Sequence, residues 1–423
     1  MKLRVSENQR FILREDGLPF FYLGDTAWEL FHRLDRDEAT HYLRTRAQQR
    51  FTVIQAVVLA ELDGLRVPNS YGAVPFHDLD PARPNEDYFR HVDWILERAA
   101  SLGLTIGLLP TWGDKFNCKW GQGPEIFTPA NAEAYGEHIG RRYRDYPLIW
   151  ILGGDRQMEQ PQHFAIVRAM ARGLRNGDGG RHLMTLHPMG GHSSSGCFHE
   201  DSWLDFNMLQ SGHGERNTPN WNMITADFKR QPAKPCLDGE ANYEDHPINW
   251  KPENGWFDAH DVRQTAYRSL LAGACGYTYG CHDIWQFWQP SRKPISAART
   301  PWRAALELPG AWQMQHVRAF FEKPEWLRLS PDQAVVLSET GVGGEHIRAA
   351  RASDNAFAWV YLPQGGEVRI NVAQLGACMT AAWYDPRTGA TRSGDTVSGT
   401  PTLRAPTADD WLLSLRNCAK EGA

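Results

Sequence analysis

Between residues 20 and 285 the chain alternates short, nearly unbroken apolar runs with longer segments whose apolar residues recur every three to four positions. Eight runs read as strands: FFYLGDTAW, FTVIQAVVL, LTIGLLPTWGD, LIWILGGD, HLMTLHPMG, LDFNMLQSGH, KPCLDGEANYE and GYTYGCHDIW. The amphipathic stretches between them include RDEATHYLRTRAQQR, DYFRHVDWILERAASLG and NAEAYGEHIGRRYRD. Acidic residues tend to come early and basic ones late in these stretches, as the helix dipole favours. A run apolar on both faces suits a parallel sheet covered by helices. The eightfold repeat of strand then helix therefore predicts an α/β chain built on a (β/α)8 TIM barrel. A doubly wound sheet competes, but it usually has fewer strands and often a Gly-rich phosphate loop. Neither GxGxxG nor a P-loop occurs.

Past about residue 325 the texture changes to AVVLSET, HIRAARASD, AFAWVYLP, EVRINVAQL, MTAAWYDPRTG and WLLSLR, punctuated by Gly, Pro, Asn and Asp. Short strands at this spacing predict a C-terminal antiparallel β-sandwich. The expected division is a catalytic barrel over 1–324 and the β-domain over 325–423, joined by a linker around EKPEWLRL. The β-domain is expected to brace the barrel rather than to bind polysaccharide.

Composition narrows the partners. With 42% hydrophobic and 22% charged residues the chain is an ordinary globular one. A net charge of −5 with scattered Lys and Arg argues against a nucleic-acid partner. No apolar run approaches a membrane span, and MKLRVSENQRFILRED has no signal-peptide core, which predicts a cytoplasmic protein with no membrane partner. Seven cysteines without a CxxC pair suit free thiols. The 17 Trp residues are the unusual feature, since indoles can line a site for ligands with flat C–H faces. Oligomeric state is not readable.

In a barrel of this kind, chemistry sits where the strands end. The residues at those tips are Asp25 and Trp28 after the first strand, Trp112 and Asp114 after the third, Asp155 after the fourth and His187 after the fifth. Gln210 and His213 follow the sixth, Glu240, Tyr243 and Glu244 the seventh, and Tyr279, His282 and Trp285 the eighth. Taken singly, each could be a helix cap or surface group. Asp155 and Glu240 stand out because the fourth and seventh strands face one another across a barrel mouth, where two carboxylates can flank a glycosidic bond. Gly153 and Gly154 are expected to let the backbone pass close to a bound sugar while Asp155 projects beyond it. Asp238, two residues before Glu240, should share its side of the strand as a buried support. His187, His192, Cys197 and His199 lie within a short segment but match no zinc spacing, so neither a metal nor another cofactor is expected. No GxSxG elbow suggests a serine hydrolase.

The segments DGLPFFYLGDTAWELFHRL, YPLIWILGGD, TLHPMG, MLQSGHG and CLDGEANYE, followed by WYDPRTG, resemble the apiosidase-like glycoside hydrolases of family 140. The resemblance spans nearly the whole chain. It implies a (β/α)8 barrel followed by a β-sandwich that carries a collagen-binding label in that family. It also implies Asp155 as acid/base and Glu240 as nucleophile, in a retaining, exo-acting hydrolase of apiosides or other plant-derived furanosides. The other tip residues would bind substrate. A retaining mechanism requires Asp155 to hold its proton more tightly than usual, beside an ionised Glu240 and under Trp112 and Trp285. Glu240 should be held ionised by donors such as His213 or Tyr279. The competing expectation from another class is a non-catalytic carbohydrate-binding protein that uses the Trp-rich mouth.

Overall fold

The computed structural model of the protein describes residues 2–420. Eight parallel strands form the main sheet: β1 (Tyr22–Thr26), β2 (Val53–Val57), β3 (Thr105–Leu109), β4 (Leu148–Gly153), β5 (Met184–His187), β6 (Asn207–Gln210), β7 (Cys236–Asp238) and β8 (Gly276–Tyr279). Each lies within one of the eight runs anticipated from the apolar pattern. Their spatial order is β5-β4-β3-β2-β1-β8-β7-β6, with the short segment His192–Ser193 added antiparallel to β6. Register runs from Tyr279 to Asp25, Asp25 to Ile54, Ile54 to Ile106 and Ile106 to Leu148. The sheet is nearly closed. Between β5 and β6 there is no ladder, but the Asp205 amide donates to the Met184 carbonyl (2.8 Å) and the Thr185 hydroxyl to the Phe206 carbonyl (2.7 Å).

The outer helices are α1 (Arg36–Gln48), α2 (Glu86–Ser101), α3 (Pro129–Tyr143), α4 (Pro161–Asp178), α5 (Asn220–Lys229), α6 (Ala259–Leu271) and α7 (Pro309–Phe321). Capping starts them. Asp35 accepts the Glu38 amide ahead of α1, and Asn85 the Asp87 amide ahead of α2. In α2, Tyr88, Phe89, Val92, Ile95, Leu96 and Ala99 are buried at helical spacing, which docks that face on the sheet. Helices α3 and α4 approach backbone to backbone at Gly136, Gly140, Gly173 and Gly177, where a Cβ on Gly173 would lie 2.1 Å from the Glu133 carbonyl. The alternation fails once. Between β5 and β6 only Ser195–Phe198 is helical, because PMGGHSSSG has no apolar repeat to bury.

The chain then forms β9 (Leu329–Pro331), β10 (Arg348–Ala352), β11 (Phe357–Leu362), β12 (Glu367–Arg369), β13 (Met379–Tyr384), β14 (Thr391–Val397), β15 (Thr402–Arg404) and β16 (Trp411–Asn417). Six of these make one antiparallel sheet, β9-β10-β11-β16-β13-β14, and β12 pairs with β15 separately. The second layer is therefore thinner than the two full sheets of a sandwich. AVVLSET gives a 3₁₀ turn at Gln333–Val335 and a single antiparallel bridge from Val336 to Ile370, while β14, with no buried residue, carries no apolar pattern to announce it.

The expected linker is not loose. Trp326 is fully buried against Phe11, Phe21 and Phe321. Aromatic contacts continue across the junction: Tyr267 stacks on Tyr361 at 5.0 Å, and Phe320 and Phe321 meet Trp359 edge-on at 4.8 and 5.3 Å. Arg263 on α6 donates from Nε and Nη2 to Asp410 (2.9 and 2.6 Å), and the Tyr361 hydroxyl donates to the same carboxylate (3.0 Å). Asp410→Ala should leave a buried guanidinium without its partner and lower unfolding stability by about 3–5 kcal/mol. Urea denaturation checks this, and a loss under 1 kcal/mol (roughly the value of an exposed pair) would show that the contact is not a buried brace. A chain ending at residue 324 should be insoluble, because Tyr267, Phe320 and Phe321 would face water.

Candidate active site

The C-terminal tips of the eight strands surround a cavity of about 880 Å³. Asp155, Glu240, Trp28, Trp112, Gln210, His213, Tyr243, His282 and Trp285 line it. These are nine of the fourteen tip residues singled out from the sequence. The other five are close by with different roles. Asp25 is fully buried, accepting from the Tyr42 hydroxyl (2.5 Å) and Arg46 Nε (2.6 Å), so it ties β1 to α1. Asp114 is buried with Lys115 Nζ (2.8 Å) and accepts the Gln122 and Gly123 amides (3.1 and 2.9 Å). Glu244 accepts from the Tyr279 hydroxyl (2.6 Å) and the Gly310 amide (3.0 Å), which removes Glu244 and Tyr279 from the cavity together. The common reason is physical: a carboxylate at a strand tip can satisfy donors on the adjoining helices as readily as it can face the mouth. His187 is the fifth. It sits directly behind Glu240, edge-on to Trp28 at 5.3 Å and tilted against Trp112 at 5.6 Å.

Glu240 is held from two sides. His213 Nε2 hydrogen-bonds Oε1 at 3.1 Å. His187 Nε2 lies 2.9 Å from Oε2. Burial pushes the Glu240 carboxyl up, but the two imidazoles override it and hold the group down at about 2. Asp155 moves the other way, raised first by burial and then by the charge of Glu240, against the opposing pull of His187 and Arg156. Its amide donates to His187 Nδ1 (3.3 Å), and its Oδ2 accepts from Trp120 Nε1 (3.4 Å). Tyr279, expected as a donor to Glu240, is engaged by Glu244 instead.

The turn that delivers Asp155 is left-handed through three residues, with φ of +84° at Gly153, +112° at Gly154 and +48° at Asp155. The two glycines do not clear space for ligand. A Cβ on Gly153 would lie 2.5 Å from the His187 carbonyl, and one on Gly154 would lie 2.8 Å from the Trp112 ring. Protein packing, rather than a sugar, forbids side chains there. Asp238 is a buried support, as expected, although the strand period does not account for it. The strand ends at that residue, so the period of two does not carry on to Glu240. Asp238 instead accepts from the Ser211 amide (3.2 Å) and hydroxyl (2.7 Å), with burial raising it to about 6. It fixes the loop that presents His213.

Sequence reasoning missed Glu61, Trp120, His246 and Trp250, all of which line the cavity from loops. His246 stacks on His213 at 4.5 Å and meets His282 edge-on at 4.3 Å, with Trp250 5.8 Å away. Burial and the neighbouring imidazoles depress His246, and burial lowers His282 to about 4, so both are neutral acceptors or donors near pH 7. His187, His192, Cys197 and His199 do not gather into one group. His192 bonds the Gly190 carbonyl and His199 bonds Asn207, and among the described residues no group of three or more His, Cys, Asp or Glu is placed to hold a metal ion.

Known proteins match this arrangement closely. The family model "Apiosidase-like, catalytic domain" matches residues 6–328, and a second, "Putative collagen-binding domain of a collagenase", matches residues 330–416. A solved glycoside hydrolase is 31% identical with a TM-score of 0.91, covering 99% of this chain and 97% of its own. A glycoside hydrolase family 5 structure from Bacteroides vulgatus is 32% identical with the same TM-score, covering 99% and 93%. A family 27 β-L-arabinopyranosidase from Geobacillus stearothermophilus shares the fold alone, at 9% identity, 96% and 98% coverage and a TM-score of 0.56. Among curated proteins none matches.

Gly153→Ala tests the packing account of the turn. Positive φ alone costs a non-glycine residue about 1–3 kcal/mol. Gly191→Ala, at φ +74° with nothing within 4 Å of a Cβ, should show that cost only. Gly153→Ala should lose clearly more in urea denaturation, because the His187 carbonyl must also move. Equal losses would remove the close approach as the reason for the glycine.

Proposed function

The chain belongs to the apiosidase-like family of glycoside hydrolases, and from that premise we propose a retaining, exo-acting enzyme that releases apiose or a related furanose from a plant-derived glycoside. Glu240 is the nucleophile and Asp155 the acid/base. The observation that carries this reading is the opposite displacement of two carboxyls in one cavity, Glu240 downward and Asp155 upward. That asymmetry is what the double displacement needs before substrate arrives. Glu240 Oε2 attacks the anomeric carbon while Oε1 stays tethered to His213. Asp155 passes its proton to the glycosidic oxygen, and the leaving group departs as an alcohol. Asp155 then takes a proton from water, which attacks the glycosyl-enzyme and frees Glu240.

The remaining lining residues support substrate binding. Trp112 Nε1 and Gln210 Oε1 are buried without partners, an arrangement that sugar hydroxyls would satisfy. Trp28 is fixed by its bond to the Tyr243 hydroxyl (3.1 Å), and Trp285 by its bond to His282 (3.3 Å). Trp28 and Trp112 pack against each other at 5.1 Å in the lining. The eight parallel strands support reading the sheet as a (β/α)8 barrel over 1–324, with 325–423 as the bracing β-domain.

Two measurements test the assignment. On a panel of aryl furanosides and plant oligosaccharides, Glu240→Gln should abolish turnover. Asp155→Ala should keep activity only on activated aryl substrates and recover with azide, which enters the space of the lost carboxyl. Full activity of Glu240→Gln overturns the nucleophile, and binding without any turnover points to a lectin. The pH profile of kcat/KM should be a bell. Its acidic limb marks protonation of Glu240, below the usual carboxylate range, and its alkaline limb marks loss of the proton from Asp155, above that range. Asp155→Asn should erase the alkaline limb for an activated substrate.

A further inference from the structure

We propose that Cys378 and Cys418 are a redox-active pair on the outer face of the C-terminal sheet, which a small-molecule disulfide such as oxidised glutathione converts to an intramolecular bond tying β16 to β13. The inference is independent of the reaction in the barrel mouth.

Strands β13 and β16 run antiparallel, with Met379 opposite Asn417. One step further Cys378 and Cys418 face each other, and the Cys418 amide donates to the Cys378 carbonyl (3.3 Å). Opposite residues at a hydrogen-bonded position have Cα atoms about 5.5 Å apart. A disulfide spans roughly 4.4–6.8 Å between Cα atoms, so the backbone already meets its requirement. The two thiols also share a face. Cys418 Sγ lies 3.8 Å from Thr380 Oγ1, and Thr380, two residues from Cys378, is on the same side of the strand. Met379 and Ala381 point the other way, into the core. Cys378 precedes β13 and Cys418 follows β16, so small backbone shifts there disturb the ladder on one side only.

Oxidation needs a thiolate that the reagent can reach. Cys378 and Cys418 are both half-buried, open to solvent on the outer face. Cys236 and Cys275 adjoin as well, through the Cys275 amide and the Cys236 carbonyl (2.8 Å), but both are fully buried. Burial pushes the Cys275 thiol up to about 12, which withholds its thiolate from any oxidant. Cys118 and Cys197 are exposed, each without a second cysteine in its segment.

One reagent disulfide balances the step. The thiolate of one cysteine attacks a glutathione disulfide sulfur, forming a mixed disulfide and releasing one glutathione. The thiolate of the other then attacks the protein sulfur of that mixed disulfide, making the Cys378–Cys418 bond and releasing the second glutathione. Both thiol protons end on the two glutathiones, and two electrons pass from the protein to the reagent. The bond encloses β13, β14, β15 and β16 in one covalent loop. Within it, β16 lies between β11 and β13 and directly follows Asp410, the partner of Arg263. The Tyr384 hydroxyl, at the far end of β13, donates to the His316 carbonyl on α7 (2.8 Å). Oxidation therefore pins the strand that leaves the barrel contact, and reduction leaves it held by packing and hydrogen bonds.

The test equilibrates the full chain in glutathione buffers of rising oxidised share, then alkylates the remaining thiols in urea. Oxidised chain should carry the alkyl group on five of its seven cysteines. A trypsin digest without reductant should contain residues 370–387 joined to residues 417–420. The folded chain should form the bond at an oxidised glutathione level about 100-fold lower than the urea-unfolded chain, because folding holds the two sulfurs together. Oxidation should raise the melting midpoint by about 5 °C, a gain absent from Cys378→Ser and Cys418→Ser. Glutathione adducts on Cys118 or Cys197 without the joined peptides would overturn the pair. Equal oxidant demand in the folded and unfolded chain would overturn its pre-positioning, and an unmoved melting midpoint the pinning of β16. Should a serine variant fail to fold, the joined peptides and the oxidant titration of the unaltered chain decide the proposal.

Discussion

The His187 imidazole accepts the Asp155 amide on Nδ1 and so carries its proton on Nε2, facing Glu240. One ring thus reports the backbone position of one carboxylate to the side chain of the other, across strands β4, β5 and β7. Trp28 and Trp112 wall the ring and keep water from screening it, which makes the electrostatics in the mouth stronger than on an open surface. The left-handed turn at Gly153 and Gly154 is the geometric condition for this contact, because only residues without a Cβ let the backbone lie against the His187 carbonyl and the Trp112 ring. Strand, turn, imidazole and carboxylate are thereby fixed together rather than one at a time.

Around that unit, several further carboxylates build the rim without entering it. Asp25 locks β1 to α1 through Tyr42 and Arg46, Asp114 pins the turn after Trp120, and Asp238 holds the loop that aims His213. Each is a buried acid with its donors supplied by neighbours, as desolvation requires. The division of labour follows from partners: an acid surrounded by fixed donors stiffens the mouth, and one left facing the cavity is available to a ligand.

This is also where sequence reading reached its limit. The eight parallel strands were legible because a strand buried on both faces must be apolar throughout, and LIWIL or TIGLL can be little else. That Asp155 and Glu240 would share a cavity followed from strand order. Which way a tip carboxylate turns did not, because Asp25 and Asp155 both follow glycine at a strand tip and differ only in the tertiary donors around them. Glu61, Trp120 and Trp250 come from loops, where no period of two or 3.6 constrains a side chain. Strands β9, β14 and β15 of the C-terminal domain fell outside the runs read from the sequence; β9 and β15 are three residues each, and β14 has no buried residue to betray it.

The C-terminal sheet bears on the mouth through the helices it covers. Arg263 and Tyr267 on α6 and Phe320 and Phe321 on α7 make the cross-junction contacts, and both helices belong to the far side of β7 and β8. The amide of Gly310, at the start of α7, donates to Glu244, whose other oxygen takes the Tyr279 hydroxyl at the tip of β8. Glu244 is four residues past Glu240 in the same loop, so seating α7 against the β-sheet also sets where that loop leaves β7. Packing of this kind transmits position because neither buried helix can shift without opening a void or stranding the Arg263 guanidinium. The helix that the C-terminal sheet covers thus contacts the loop carrying Glu240, while no residue of that sheet lines the cavity.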